Sequence, residues 1–192
     1  MPKSKVFDGN LSTDEAVYIG IDQSYSGFAI TLLSADCSKY YTVVYPSTGK
    51  GVDRILSIKQ FMGNTFSMFD QSTIKGVAME GYAFGTTMAH MAGELGIVVK
   101  MTCLEWFTTP YASYPLIVPP ANLKKYATGK GTGVQKNQIL LSVYKNWNIE
   151  FTDDNAADSY ILARMASGRS DTAVQKEVLI KLMDPKFREY TK

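Results

Sequence analysis

The stretch VYIGIDQSYSGFAI, from Val17 to Ile30, constrains this chain more than any other. Val17, Ile19 and Ile21 are β-branched and Tyr18 is aromatic, so the run into Asp22 reads as a buried strand rather than a helix. Asp22 is thereby left at the end of a core strand. A carboxylate there is costly unless a cation or several donors satisfy it, which makes it a functional candidate. Gly27 permits a tight return, and Phe28, Ile30 and Leu32 alternate into a second strand. Asp-x-Ser is also an ordinary turn sequence, so this segment alone leaves Asp22 either a turn residue or a functional one.

A Gly-x-Asp strand turning back at a Ser/Gly loop also looks like the first phosphate loop of actin-like and sugar-kinase ATPases. Those folds close two domains around a nucleotide, whereas 192 residues make one domain with a sizeable core. No second phosphate loop or adenosine pocket can be found in the chain, and no nucleotide cofactor is expected. With 45% hydrophobic and 20% charged residues, the composition is that of an ordinary globular protein. The net charge of +2 says little, but its distribution says more. Between Trp106 and Ile149 there is no Asp or Glu, while Lys124, Lys125, Lys130, Lys136 and Lys145 fall inside that interval, which predicts a basic surface. Cys37 and Cys103 lie far apart, and His90 is the single histidine, which argues against zinc and for reduced thiols in a reducing compartment. No apolar run is long enough to span a membrane, and the start MPKSKVFDGNLSTDE is not a signal peptide, so a cytoplasmic protein without membrane partners is expected.

Residues 1–15 read as a flexible polar arm. After the first hairpin, Tyr40–Tyr45 is rich in strand formers and is closed by Pro46, Gly49 and Gly51, completing a three-stranded antiparallel meander. Ile55, Ile58, Phe61, Met62, Phe66 and Phe69 recur at helical spacing and predict an amphipathic helix over 53–70. Ile74–Glu80 reads as a fourth strand that, like the first, ends in an acid. Residues 86–104 form a helical pattern with Met88, Met91, Leu95, Val98 and Val99 apolar and a flank of small residues at Ala89, Ala92, Gly93 and Gly96; His90 is an ordinary residue of this helix. Pro115–Pro119 is a short strand, Ala121–Tyr126 a short helix, and Thr128–Gly133 a glycine-rich loop. Val134, Ile139, Leu140, Val143 and Trp147 mark another helix, and a last core helix covers about 155–166. Strands first, then strands alternating with helices, predict an α/β domain with a mixed five-stranded sheet flanked by helices, its first three strands antiparallel. In such sheets function gathers at strand ends, where Asp22 and Glu80 both lie.

In FTDDNAADSYILA, Asn155 and Asp158 are three apart on one helical face, with Asp154 just outside the first turn. If this helix start packs beside the first and fourth strands, Asp22, Glu80, Asp158 and either Asn155 or Asp154 form an all-oxygen cluster. Such a cluster suits Mg²⁺ or Mn²⁺ far better than zinc. Helix capping accounts for Asp153 to Asn155 in part, but not for Asp158, an acid followed by the apolar Tyr160, Ile161 and Leu162.

Four segments taken together resemble the RuvC-type Holliday junction resolvases of the ribonuclease H-like superfamily, over roughly residues 16–168. They are GID with its following glycine, the acid in MEGYAFG, the lysine and glycine segment VPPANLKKYATGKGTGVQKNQ, and NAADSYILA. The resemblance implies a ribonuclease H-like fold and metal-binding acids at Asp22, Glu80 and Asp158. The fourth metal position, usually an acid or histidine, falls on Asn155, whose amide oxygen brings no charge; Asp154 is the alternative. The family's lysines fall on Lys124 or Lys125 and on Lys136, the last counted with the acids as catalytic, and Lys130 lies in the glycine-rich loop between them. Such a loop lets ammonium groups and backbone approach phosphates closely. Tyr82 and Phe84 fall where family members carry an aromatic that stacks on bases, although both could equally be core residues. Gln23 and Ser24 stand where proline and glycine are common, as in a divergent, phage-type member.

The activity implied is a Mg²⁺-dependent endodeoxyribonuclease of the crossover-junction type, with two ions per active site and Mn²⁺ able to substitute. A homodimer would make paired symmetric nicks in a four-way junction, leaving 5′-phosphate and 3′-hydroxyl ends. A broader nuclease acting on flaps or forks would carry the same acids, and a non-catalytic branched-DNA-binding protein would keep only the lysines. Residues 169–192, with Val174, Val178, Leu179 and Leu182 at helical spacing, lie outside the resemblance and read as a C-terminal helical extension.

Overall fold

In the computed structural model, which describes residues 3–81 and 89–188, the strand β2 (Val17–Asp22) is buried on both faces at every position except Tyr18. An alternating pattern is absent because β2 is an interior strand with helices covering both sides. Its neighbours are the equally buried β3 (Phe28–Ser34), antiparallel, and β5 (Ile74–Glu80), parallel. Beyond β3 lies β4 (Tyr40–Tyr45), antiparallel, and beyond β5 lies β6 (Leu116–Val118), parallel. The first hairpin, the meander and the strand ending at Glu80 therefore form as their sequence patterns predict.

The sheet has six strands rather than five, in the order β1-β4-β3-β2-β5-β6. The added strand, β1 (Lys5–Asp8), lies within the segment read as a flexible arm and pairs antiparallel with β4 from Lys5 opposite Val44 to Asp8 opposite Tyr41. Four residues are too few to show a period, and what holds this strand is tertiary: Phe7 meets the edge of the Phe151 ring at 5.2 Å.

One face of the sheet carries α1 (Gly51–Phe66), α2 (Ala89–Trp106) and the single-turn α3 (Pro110–Ser113), with Ile58, Met62, Phe66, Leu95, Val99 and Cys103 in its core. The helix predicted over 53–70 thus ends at Phe66, although Phe69 is buried as its spacing implied. α3 was not legible because one turn shows no repeat. The other face carries α4 (Pro120–Thr128), α5 (Lys136–Trp147), α6 (Asp154–Ala166) and α7 (Ala173–Leu182). Val178 and Leu182 of α7 are buried in the same core as α6. A polar clasp also ties α7's leading segment down: Arg164 donates to Asp171 at 2.8 Å, Trp147 donates to the same carboxylate oxygen at 2.9 Å, and the Arg164 guanidinium lies 4.6 Å above the Trp147 ring.

α6 lies very close against β2 at Gly20. A Cβ on Gly20 would stand 2.0 Å from the Ser159 carbonyl and 2.3 Å from the Ala163 nitrogen. Only a residue without a side chain fits there, and Ala156, Ala157 and Ala163 keep the helix side equally flat. A buried hydroxyl row fixes the same contact, with Thr31 2.8 Å from Ser159 and 2.7 Å from Thr42. Cys37 and Cys103 are free thiols, and His90 is exposed on α2. No helix among the described residues is long and apolar enough to cross a membrane.

Candidate active site

β2 and β5 run parallel with Ile21 opposite Met79, so Asp22 and Glu80 close adjacent strands at one end of the sheet. α6 crosses β2 at Gly20, and its first turns, carrying Asp154 and Asp158, reach that same end. Asp22 is only 4% exposed. Its carboxyl is pushed well above the usual range, first by burial and then by the charges of Glu80, Asp158 and Asp154, with Lys136 opposing. Burial likewise pushes Glu80 up to about 7, against Lys124. Asp158 is also pushed up to about 7, by burial and then by Glu80 and Asp154, against Lys124 and Lys136. These groups therefore share one electrostatic neighbourhood. Within it, Oδ1 of Asp158 is buried with no hydrogen-bond partner.

The residues around these acids divide the expected set. Asp154 forms an ion pair with Lys136, whose ammonium is raised by that bond and by the nearby charges of Asp158 and Asp22. Asn155 is turned to the helix cap: its backbone and side-chain nitrogens donate to Asp153 at 3.1 and 3.2 Å, and its amide nitrogen lies 2.5 Å from where a Cβ on Gly27 would stand. Asp153 is the N-cap, and it also accepts from Lys5 of β1 at 2.7 Å. Of the two adjacent lysines, Lys124 acts on Glu80 and Asp158, whereas Lys125 is paired with Glu177 of α7 at 2.8 Å. Lys130 is exposed in the loop joining α4 to α5. Tyr82 and Phe84 lie outside the described residues.

Among the described residues, no three Asp, Glu, His or Cys side chains stand arranged to hold a metal ion. The chemistry of the donors nevertheless fits a hard divalent cation: carboxylate oxygens alone, mutually repelling, buried at Asp22 and half-buried at Glu80 and Asp158, with one oxygen lacking any donor. Asp22, Glu80 and Asp158 are the residues that could hold it. Sequence reasoning missed the use made of Gln23. Its side chain is 8% exposed, and Nε2 donates to the backbone carbonyl of Glu80 at 2.5 Å, joining the ends of β2 and β5. Its position directly after Asp22 was the only signal.

A mixed sheet whose first three full-length strands are antiparallel, flanked by helices on both faces, is a ribonuclease H-like fold. Within that class the fold is RuvC-like. The chain superposes on the structure described as "T. thermophilus RuvC in complex with Holliday junction substrate" with a TM-score of 0.61 and 15% identity, covering 80% of this chain and 92% of that one. A second Thermus thermophilus RuvC structure gives a TM-score of 0.58 and 14% identity, covering 90% and 98%. At such identity the likeness is one of fold. No protein-family model matches the chain, and no curated protein matches it in sequence.

Proposed function

We propose that this chain is a divalent-metal-dependent endonuclease that resolves four-way DNA junctions by paired symmetric nicks. The observation that carries the reading is the meeting of buried Asp22 with half-buried Glu80 and Asp158 at one sheet end of a RuvC-like fold, with Lys124 and Lys136 beside them. Asp22, Glu80 and Asp158 would hold Mg²⁺ or Mn²⁺. When bound, two such ions supply an activated water and stabilise the leaving 3′ oxygen, which gives 5′-phosphate and 3′-hydroxyl ends. Lys136 holds Asp154 and places a positive charge at the mouth of the site, where a phosphate would enter; its side chain is 82% exposed and free to follow it. Lys124 and Lys130 extend the basic surface along the DNA backbone, and Lys125 contributes more to holding α7 than to DNA. Stacking of Tyr82 and Phe84 on bases belongs to the same reading. The nuclease unit is assigned to residues 16–168, with β1 and α7 packed onto it.

Two nicks on opposed strands need two sites, and a homodimer through α2 supplies them. Leu95, Val99 and Cys103 bury one face of this helix, while Ile97, Met101 and Leu104 leave a second apolar face outward. A non-catalytic branched-DNA-binding protein is the second reading, favoured by the ion pair that occupies Asp154 and the cap that occupies Asn155.

Strand-resolved cleavage of a synthetic four-way junction with Mg²⁺, beside flap, fork and linear duplex substrates, decides among these. Symmetric nicks confined to the junction are expected, and Asp22→Asn abolishes them while junction binding survives. Substantial residual cleavage by that variant sinks the assignment. Cleavage spread over flaps and forks makes the chain a general branched-DNA nuclease, and binding without cleavage leaves the non-catalytic reading.

A further inference from the structure

Gln23 is a polar side chain sealed beside the acids with half of its amide unused. Nε2 donates to the Glu80 carbonyl at 2.5 Å, and a carbonyl can only accept, so the amide cannot be turned over. Oε1 is thereby fixed as the other end of the group, and it is buried with no hydrogen-bond partner. A buried acceptor left without a donor is costly, and such an atom in a native fold points to a ligand or ion that completes it. The other unpartnered buried oxygen acceptor among the described residues of this neighbourhood is Oδ1 of Asp158. Two lone oxygens thus belong to residues adjoining Asp22 and Glu80, and neither has a hydrogen to accept. Meanwhile the side-chain nitrogen of Asn155 is committed to Asp153, and Asp154 is paired with Lys136.

We infer that Gln23 supplies the neutral oxygen of the cation site, through Oε1, in the place that the sequence pattern gives to Asn155. The inference rests on the metal-dependent nuclease reading and refines its ligand set to Asp22, Glu80, Asp158 and Gln23. An amide oxygen is a suitable hard donor for Mg²⁺ or Mn²⁺ and adds no further charge to three carboxylates that already repel one another. The bond from Nε2 to Glu80 makes Gln23 a positioning residue too, because it ties the oxygen to the backbone that carries one of the acids.

The test is Mn²⁺ titration by calorimetry on the full chain without DNA, for the wild type, Gln23→Met and Gln23→Glu, with thermal melting in EDTA alongside. Gln23→Met keeps the length and loses both amide atoms. Its Mn²⁺ dissociation constant is expected to rise about tenfold or more. Its melting temperature in EDTA should change little, because the lost bond and the removed orphan oxygen offset each other. A tether with no ligand role gives the reverse, a lower melting temperature with unchanged Mn²⁺ affinity, and overturns the inference. Should Gln23→Met fail to fold, Gln23→Glu decides: a charged oxygen facing the cation tightens Mn²⁺ binding, and unchanged or weaker binding overturns it. No Mn²⁺ binding by the wild type overturns the nuclease reading and this inference together, whereas wild-type binding matched by Gln23→Met overturns this inference alone.

Discussion

Glu80 and Asp158 are pushed up to about 7 in the folded chain, well above the value near 4 that such carboxyls have when unfolded. Between those limits the folded state binds more protons than the unfolded one, so stability must fall as pH rises. The contribution is fully present below about pH 4 and is lost by the time pH has passed 7, at up to about 1.4 kcal/mol per pH unit for each group. Asp14, Asp36 and Asp70, whose carboxyls are lowered by hydrogen bonds from nearby serines, act below that window with the opposite sign. In EDTA the melting temperature should therefore be lower at pH 8 than at pH 5.5, and Mg²⁺ should restore it at pH 8 but hardly at pH 5.5, because the ligands must be deprotonated to bind. A metal-free melting temperature that rises over this interval would contradict the burial of these acids. At this scale the acids themselves were legible from their places at strand and helix ends. The engagements of Asp154, Lys125 and Gln23 were not, because each is set by a partner distant in sequence.

Among the elements, the pair β2 and α6 decides whether a site exists at all. The two touch at Gly20, where there is backbone on both sides and no flexible side chain to give way. Gly20→Ala must therefore push α6 off the sheet, and with it Asp158. We expect a loss of about 3 kcal/mol or more in urea unfolding, at the upper end of overpacking costs, together with loss of cleavage. Gly27 provides the contrast: an added Cβ there meets the amide end of Asn155, a side chain that can rotate away. A Gly27→Ala chain as damaged as Gly20→Ala would show that the backbone contact is not what matters. The helix over about 155–166 and the alternation after Gly27 were readable in sequence, but the distance between helix and strand was not. It depends on the two surfaces meeting, and each sequence records only its own.

At the scale of the whole molecule, α2 is apolar on two sides. Along α2, Ile97 and Met101 remain 57% and 59% exposed and Leu104 47%, at spacings of four and three that place them on one face. Leaving such a face in water is unfavourable, and a second copy of the chain would cover it with the symmetry that paired nicking needs. Sedimentation at micromolar concentration should show a dimer, and Met101→Lys should give a folded monomer whose nicks at a junction are no longer paired. A wild-type chain that sediments only as a monomer would remove α2 as the interface and paired symmetric cleavage with it.

The sequence by itself determined the elements whose residues repeat with a period and the acids those elements carry: β2 through β5, α1, α5 and α6, and with them Asp22, Glu80 and Asp158. Periodicity is a property of a single segment, so it survives in the sequence intact. Only the tertiary structure decided that Lys5–Asp8 joins the sheet, that Lys124 rather than Lys125 acts on the acids, and that Gln23 is pinned to Glu80. Each of those outcomes is a choice among partners far apart along the chain. The energy that makes the choice, whether a ladder of backbone bonds, an ion pair or a buried amide, exists only once the partners have been brought together.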